Sequence, residues 1–331
     1  MQDHIQFARV LGGTDHGSPL TDDAAISNAL HDDRPAWLHL QADHPETDPW
    51  IDTHLEWLDP SIRDALTEPQ TRPRALRLGD GLLVNLRGIN TNVGKDPEDM
   101  VSVRLYIDSA RIVSMSRFRL RSIEGLGASI DAGQGPQTAG AFLADLIERL
   151  TDLVEAQVEN LEDRADQLEE ASIADPIGAH REEVSDQRLE LTELRRYMAP
   201  QRDAVRTVVR SGVPWLTEAD IRKIDEQLDQ ITRVTEALEA TREQLQAIRD
   251  EIEGAKADRL NRNLYILSVV SAVFLPLGFL TGLMGINIAG MPGTDWPPAF
   301  WVFTGGLCII TAVALLLMHR TRILRPTRGK R

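Results

Sequence analysis

The feature that most constrains this chain is a pair of long uncharged runs near its C-terminal end. Leu264 to Met284 reads LYILSVVSAVFLPLGFLTGLM and Pro298 to Met318 reads PAFWVFTGGLCIITAVALLLM, 21 residues each without Asp, Glu, Lys or Arg. As helices rising 1.5 Å per residue, each would be ~31 Å long, the thickness of a bilayer core of roughly 30 Å. Core helices of soluble proteins rarely run this far without a charge. Both runs are therefore expected to be transmembrane helices. Flanking charge sets the orientation. The closing stretch HRTRILRPTRGKR has six Lys or Arg, Arg259 and Arg262 precede the first run, and the connecting loop has only Asp295. Because positive charge stays in the cytoplasm, both termini are expected inside and residues 285–297 outside. Trp296 and Trp301 on one side and Tyr265 on the other suit the interfacial belts. The opening MQDHIQFARVLGG lacks a basic start before an apolar core, so no signal peptide is expected.

Charge is unevenly placed along the 331 residues. Residues 259–331 carry eight Lys or Arg and one acid, which leaves the preceding part at −22. The single cysteine, Cys308, lies in the second apolar run and has no internal disulfide partner. Residues 1–135 show strand-like alternation in AWLHLQ, GLLVNLRGI, VSVRLYID and RIVSMSRF, broken by turn signals such as GDG and SAR. An α/β cytoplasmic domain is expected there. From Thr138 the period becomes helical, with Phe142, Leu143, Leu146, Leu150, Leu153, Val154, Leu161 and Leu168 recurring at three and four. A break at SIADPIG precedes a second helix over about 178–210, which SGVPWL ends. The expected division is thus 1–135, a helical region 136–260, and a membrane domain 261–331 with spans at 264–284 and 298–318.

A third helix starts near residue 218. Thr217 with Asp220 resembles a capping box, and Leu216 can staple onto Ile221. No proline follows until Pro276, and no stop signal precedes the first apolar run, so one stalk helix over about 218–284 is expected, ~100 Å long. At roughly 100° per residue, Ile252, Leu245, Thr241 and Ile248 fall opposite Asn261, on the packed side. Within about 40° of Asn261 lie Asp225, Asp229, Glu236, Glu239, Glu243 and Asp250, with no Lys or Arg of this helix among them. Such a face is either a solvated surface or, if several copies surround an axis, the wall of a cation-attracting funnel.

Two spans are few for moving a solute, so a pore would need several subunits. In the first span Ser268, Ser271, Leu275, Gly278 and Gly282 follow spacings of three, four, three and four. A small or polar stripe of this kind lets helices approach closely, whether or not a pore lies between them. Pro276 is tolerable inside a membrane helix. The stretch GLMGINIAGMPG then closes the span at a glycine-rich bend with a lone carboxamide, Asn287.

The very long helix, the two C-terminal spans and Gly285-Ile286-Asn287 at the end of the first resemble the CorA superfamily of divalent-cation transporters. The Ile in place of the usual Met, the GMPG that follows, and TRPRALRLGDGLLVNLRGIN and DPEDMVSVRLYID upstream resemble more specifically its bacterial zinc-transporting branch, ZntB. The resemblance implies a funnel-shaped homopentamer in the inner membrane, whose first spans line the pore. It places Asn287, with Gly285 and Ile286, at the outer mouth. Gly278, Leu275, Ser271, Ser268 and Leu264 would follow along the pore, with Asn261 near the inner end and Asp250 and Glu243 in the funnel. Zinc is the expected cargo, with magnesium, cobalt or nickel as the CorA-type alternative. Copies of the chain itself, membrane lipid and divalent cations are the expected partners, and nucleic acid is not.

The residue chemistry agrees with passage of a largely hydrated ion. Carboxamide oxygens accept hydrogen bonds from an ion's waters without holding it as a charged ring would. Dedicated zinc sites prefer His nitrogen and Cys sulfur, and neither the first span nor the loop has them. His31, His39, His44 and His54 lie loosely together in the front domain without tight ligand spacing. No nucleophile motif or phosphate loop frames the Ser, His, Asp or Gly residues, so no enzyme activity and no permanently bound cofactor are expected. The competing reading is a membrane-anchored sensor or scaffold, which would need neither the small-residue stripe nor the single-sign helix face.

Overall fold

The computed structural model describes residues 3–68, 72–176, 178, 180–286, 291, 293 and 295–320, the last four by backbone alone. Two compact units are present, Met1–Ile252 and Glu253–Arg331.

The first unit is built on one mixed sheet. Its strands are β1 (Ile5–Val10), β2 (Ala36–Gln41), β3 (Arg74–Leu78), β4 (Gly81–Gly88), β5 (Val101–Ile107) and β6 (Arg111–Ser116), in the order β1-β2-β6-β5-β4-β3. Among the described strands β2 and β6 pair in parallel and the other neighbours are antiparallel. The four stretches that alternate in sequence are β2, β4, β5 and β6, the inner strands. Side chains alternate across a strand, so Leu82, Val84 and Leu86 of β4 enter one core while Leu83 enters another. The sequence GDG makes the β3–β4 hairpin, with Leu78 opposite Gly81 and Gly79 at φ 62°, a left-handed conformation that favours glycine.

Helices cover both faces of the sheet. On one side lie α1 (Asp23–His31), α2 (Thr47–His54) and α3 (Pro60–Thr67), burying Ile26, Leu30, Trp50, Ile51, Ile62 and Leu66. The other side receives α4 (Arg121–Asp131), α5 (Ala139–Ala174), α6 (His180–Val209) and the start of α7 (Glu218–Met284). Thr138 caps α5 by accepting the Ala141 N–H at 3.2 Å. The apolar residues at spacings of three and four in α5 are buried as their period requires, from Phe142 and Leu146 through Val154 to Leu161.

The long helix α7 begins with the reciprocal cap. The Thr217 N–H donates to the Asp220 carboxylate at 3.0 Å, and the Asp220 N–H donates to Thr217 Oγ1 at 3.2 Å. Two otherwise orphaned donors are satisfied, as in a capping box, and Leu216 and Ile221 join the same core. Downstream, Ile224, Ile231, Leu238, Leu245, Ile248 and Ile252 are buried. Polar side chains tie the helix to its neighbours: Gln244 donates to Asp166 (2.8 Å) and Glu169 (2.6 Å) of α5. Burying each large aliphatic side chain of this seam stabilises by about 1.5–3 kcal/mol. The 67 residues of α7 correspond to a helix ~100 Å long.

In the second unit α7 runs on to Met284 and α8 spans Ala299–Arg320. Both contain a window apolar enough to cross a membrane, with none of it buried within the chain.

Candidate functional site

The membrane part of α7 has two different faces. Val269, Val273, Leu277 and Leu280 are half-buried, while every other described residue from Asn261 to Ile286 is exposed. In α8 the half-buried positions are Ala299, Phe303, Thr304, Gly306, Leu307, Thr311 and Ala314, again one seam at helical spacing. Each of the two apolar helices thus has one half-buried seam among its described residues.

The stripe of small and polar residues lies elsewhere. With Asn261 as zero, the covered seam of α7 sits at roughly 80–160°, and Ser268, Ser271, Leu275, Gly278 and Gly282 at roughly −20 to −100°. The two directions are nearly opposite. All five stripe residues are exposed, as are Asn261 and Leu264, and Leu275 is 78% exposed. A Cβ added at Gly278 or Gly282 would meet nothing within 4 Å. Among the described residues nothing in the chain packs against these two glycines.

Local hydrogen bonding prepares this face. The Ser268 hydroxyl donates to the Leu264 carbonyl at 2.8 Å, which leaves its oxygen lone pairs as acceptors. Thr281, off the stripe, bonds back to the Leu277 and Gly278 carbonyls at 2.9 and 3.0 Å. Pro276 has no N–H to give the carbonyl of Ala272. The helix closes where the Gly285 N–H meets the Thr281 and Gly282 carbonyls at 3.0 and 3.1 Å. Gly285 and Ile286 are exposed beyond it. Asn287 lies outside the described residues, as does the basic stretch from residue 321.

In the first unit, Asp225, Asp229, Glu236, Glu243 and Asp250 are exposed on α7. Glu239 differs from the other five acids. Arg195 of α6 forms an ion pair with it, and Arg242 donates to it at 3.2 Å. The hydrogen bond from Arg195 is the main reason its carboxyl is held below the usual range. Sequence phasing of α7 alone missed this neutralising partner, because Arg195 arrives from another helix. Asp250 accepts from Gln246 at 2.8 Å and lies 3.7 Å from Arg249.

The front-domain histidines separate into different environments. His39 is completely buried in β2, with Nδ1 2.8 Å from Ser114 Oγ and Nε2 3.2 Å from Ser116 Oγ, and burial pushes it down to about 3. Both nitrogens are used by the fold. His31 bonds the Ser27 carbonyl of its own helix at 2.7 Å. His54 and His4, a residue the sequence pattern did not bring forward, lie against Trp50, and His44 lies beside His4. Among the described residues no three His, Cys, Asp or Glu side chains are placed to hold a metal ion.

A family model described as CorA-like Mg2+ transporter protein matches residues 32–320. The chain belongs to the CorA-like family. Among the family's curated members, the zinc transport protein ZntB of Cronobacter sakazakii is 34% identical over 316 residues, covering 96% of this chain and 95% of its own. The divalent cation transporter CmaX of Pseudomonas aeruginosa is 35% identical over 298 residues, covering 89% and 90%. The solved structure of a full-length CmaX protein superposes with a TM-score of 0.81 at 32% identity, over 97% of this chain and 99% of that one. The CorA magnesium transporter of Methanocaldococcus jannaschii shares the fold at 18% identity, with a TM-score of 0.75 over 86% of this chain and 90% of that one. A CorA-like α/β domain, long helix and pair of C-terminal apolar helices make this an integral membrane protein.

Proposed function

We propose that this CorA-like chain transports divalent metal cations, zinc foremost, through a homopentameric pore in the bacterial inner membrane. The observation that carries the reading is the bare stripe Ser268, Ser271, Leu275, Gly278 and Gly282, turned away from the half-buried seam of the same helix. Five copies of that face around an axis would supply a narrow, weakly polar conduit. A membrane anchor has no use for such a face.

Each stripe residue then has a task. Ser268, its proton committed to Leu264, offers acceptor lone pairs to the waters of a hydrated ion. Leu264 and Leu275 form apolar rings, which can stop conduction by dewetting when narrow. Gly278 lets neighbouring spans approach. Asn287, with Gly285 and Ile286, gives the outer mouth a ring of five carboxamides that recognises a hydrated cation without trapping it. Asn261 stands at the inner end of the pore. Asp225, Asp229, Glu236, Glu243 and Asp250 raise the local cation concentration on the cytoplasmic side; Glu239, paired with Arg195, contributes less.

The division into residues 1–135, 136–260 and 261–331 assigns the sheet domain, the stalk and the membrane domain to successive parts of the path, with both termini cytoplasmic. Zinc is preferred over magnesium because ZntB proteins match at 34% identity over nearly the whole chain and because Ile286 stands within the Gly-x-Asn stretch. The cation is cargo, and no resident cofactor is needed for its passage.

The test is flux. Purified protein in liposomes loaded with a zinc-sensitive dye takes up zinc down an imposed gradient, and Asn287→Ala reduces the rate. Parallel arms with magnesium, cobalt and nickel rank the cargoes. Absence of flux for every metal, under every pH or voltage gradient, would refute transport and leave the scaffold reading.

A further inference from the structure

The core on the α1–α2–α3 side of the sheet has a polar corner. His4, one residue before β1, is 3% exposed, and its buried Nε2 has no hydrogen-bond partner. Its ring centroid lies 5.6 Å from that of His44 and 6.1 Å from that of Trp50. His44, in the β2–α2 connection, accepts the N–H of Glu46 at Nδ1 over 3.2 Å, and Glu46 is the residue that starts α2. Trp50 of α2 is 5% exposed and donates its indole N–H to Asp23 of α1 at 3.0 Å. His54 stacks on the same indole at 4.5 Å, with Nδ1 3.0 Å from the Trp50 carbonyl and Nε2 3.9 Å from the Asp23 carboxylate.

Protons act on these contacts with different signs. An imidazolium carries N–H on both nitrogens, so a protonated His44 turns donor against donor at Glu46 and loses one of the bonds at the start of α2, where Thr47 also donates to the His44 and Gln41 carbonyls. A proton on His4 Nε2 finds no acceptor and faces His44. His54 is the counterweight: protonated, it gains Asp23 Oδ2 as an ionic partner while Oδ1 keeps the indole. The titratable groups acting on His4 are thus His44 from the loop, Asp23 from α1, and Glu46 and His54 at the two ends of α2. Burial, then His44, hold its imidazole below the ordinary range, while Asp23 and Glu46 pull it upward.

We propose that His4, packed against Trp50, and His44 beside it form a proton-operated latch that holds α2 (Thr47–His54) on β1 and α1 when both rings are neutral and releases it when they are protonated. The ligand is the proton, and the responding element is α2. For His4, kept neutral in the closed state, the open population grows by up to about tenfold per pH unit below the ordinary value of 6.5. This inference is independent of which metal the chain carries.

Amide hydrogen exchange on the full chain in detergent, at pH 7.5 and pH 5.5 and corrected for intrinsic exchange, tests it. Protection over Thr47–His54 falls by about tenfold or more in the wild type. In His44→Gln, whose side-chain oxygen accepts from Glu46 at both pH values, that fall shrinks, while β4 and β5 respond to pH as in the wild type. His54→Gln keeps the fall, and His4→Leu, if it folds, reduces it. An unchanged α2 at pH 5.5, or the same fall in His44→Gln, overturns the latch. So does release of α2 by zinc at pH 7.5, which would make the two histidines a metal site instead.

Discussion

His39 makes stability depend on pH in a way that can be worked out from its surroundings. The ring is completely buried in β2, both nitrogens are within hydrogen-bond distance of Ser114 and Ser116, and burial lowers its protonation point from 6.5 to about 3. In the unfolded chain the same ring takes a proton below about 6.5. Between pH 6.5 and 3 the unfolded state therefore binds one proton more than the folded state. The stability His39 contributes is fully present above 6.5 and is lost as pH falls through that window. The slope is about 1.4 kcal/mol per pH unit, so about 2 kcal/mol is gone by pH 5. Trp37 reports on the site directly, since its indole N–H donates to the same Ser114 hydroxyl at 2.8 Å. Urea unfolding of the chain in detergent, followed by tryptophan fluorescence from pH 7.5 to 5, should show this loss. A His39→Gln variant should be less stable at pH 7.5 yet have a slope shallower by about 1.4 kcal/mol per pH unit. Equal slopes in the two proteins would refute the reasoning, because the buried ring would then not be the group that resists protonation.

Two further predictions concern the cation path. Neutralising the exposed acids Asp250 and Glu243 as Asp250→Asn and Glu243→Gln slows cation flux at low ionic strength and much less at 0.5 M salt, where the screening length is roughly 4 Å; in Glu239→Gln the effect is smaller, because Arg195 already neutralises that carboxylate. Gly282→Leu leaves the single helix intact, since its Cβ enters open space and leucine is the better helix former by roughly 1 kcal/mol. The same change should abolish flux and disrupt the proposed pentamer in native mass spectrometry, and a fully active pentamer would deny the stripe its role.

Much of this architecture is legible in the sequence, and the reasons differ by element. The spans show because 21 uncharged residues have few other stable outcomes. The stalk shows because Thr217 and Asp220 announce its start and no breaker interrupts it before Pro276. Inner strands β2, β4, β5 and β6 show as alternation or apolar runs because both sheet faces are covered. The edges do not. In β1 a register shift between Ile5 and Phe7 breaks the alternation, and β3, RALRL, is paired along one side only and largely exposed. The pairing of Arg195 with Glu239 depends on how α6 is rotated against α7, which no periodicity within either helix specifies. His4 escaped notice for a similar reason: it sits 40 residues from His44 in sequence, and only the β1–β2 pairing brings the two rings together. In the membrane segment the stripe was readable by spacing. That it lies opposite the half-buried seam of the same helix required the structure.

The most direct test of the account is the accessibility of that stripe to water during transport. With Cys308 replaced by serine, single cysteines are placed at Ser268, Ser271 and Leu275 on the stripe and at Val273 and Leu277 on the half-buried seam of α7, and zinc flux is measured before and after a charged, water-soluble thiol reagent. The account predicts that modification at 268, 271 and 275 blocks flux, while 273 and 277 are unreactive or silent. Blockage at 273 and 277 with free conduction at the stripe would contradict it, because the pore would then lie on the half-buried seam and not on the bare stripe.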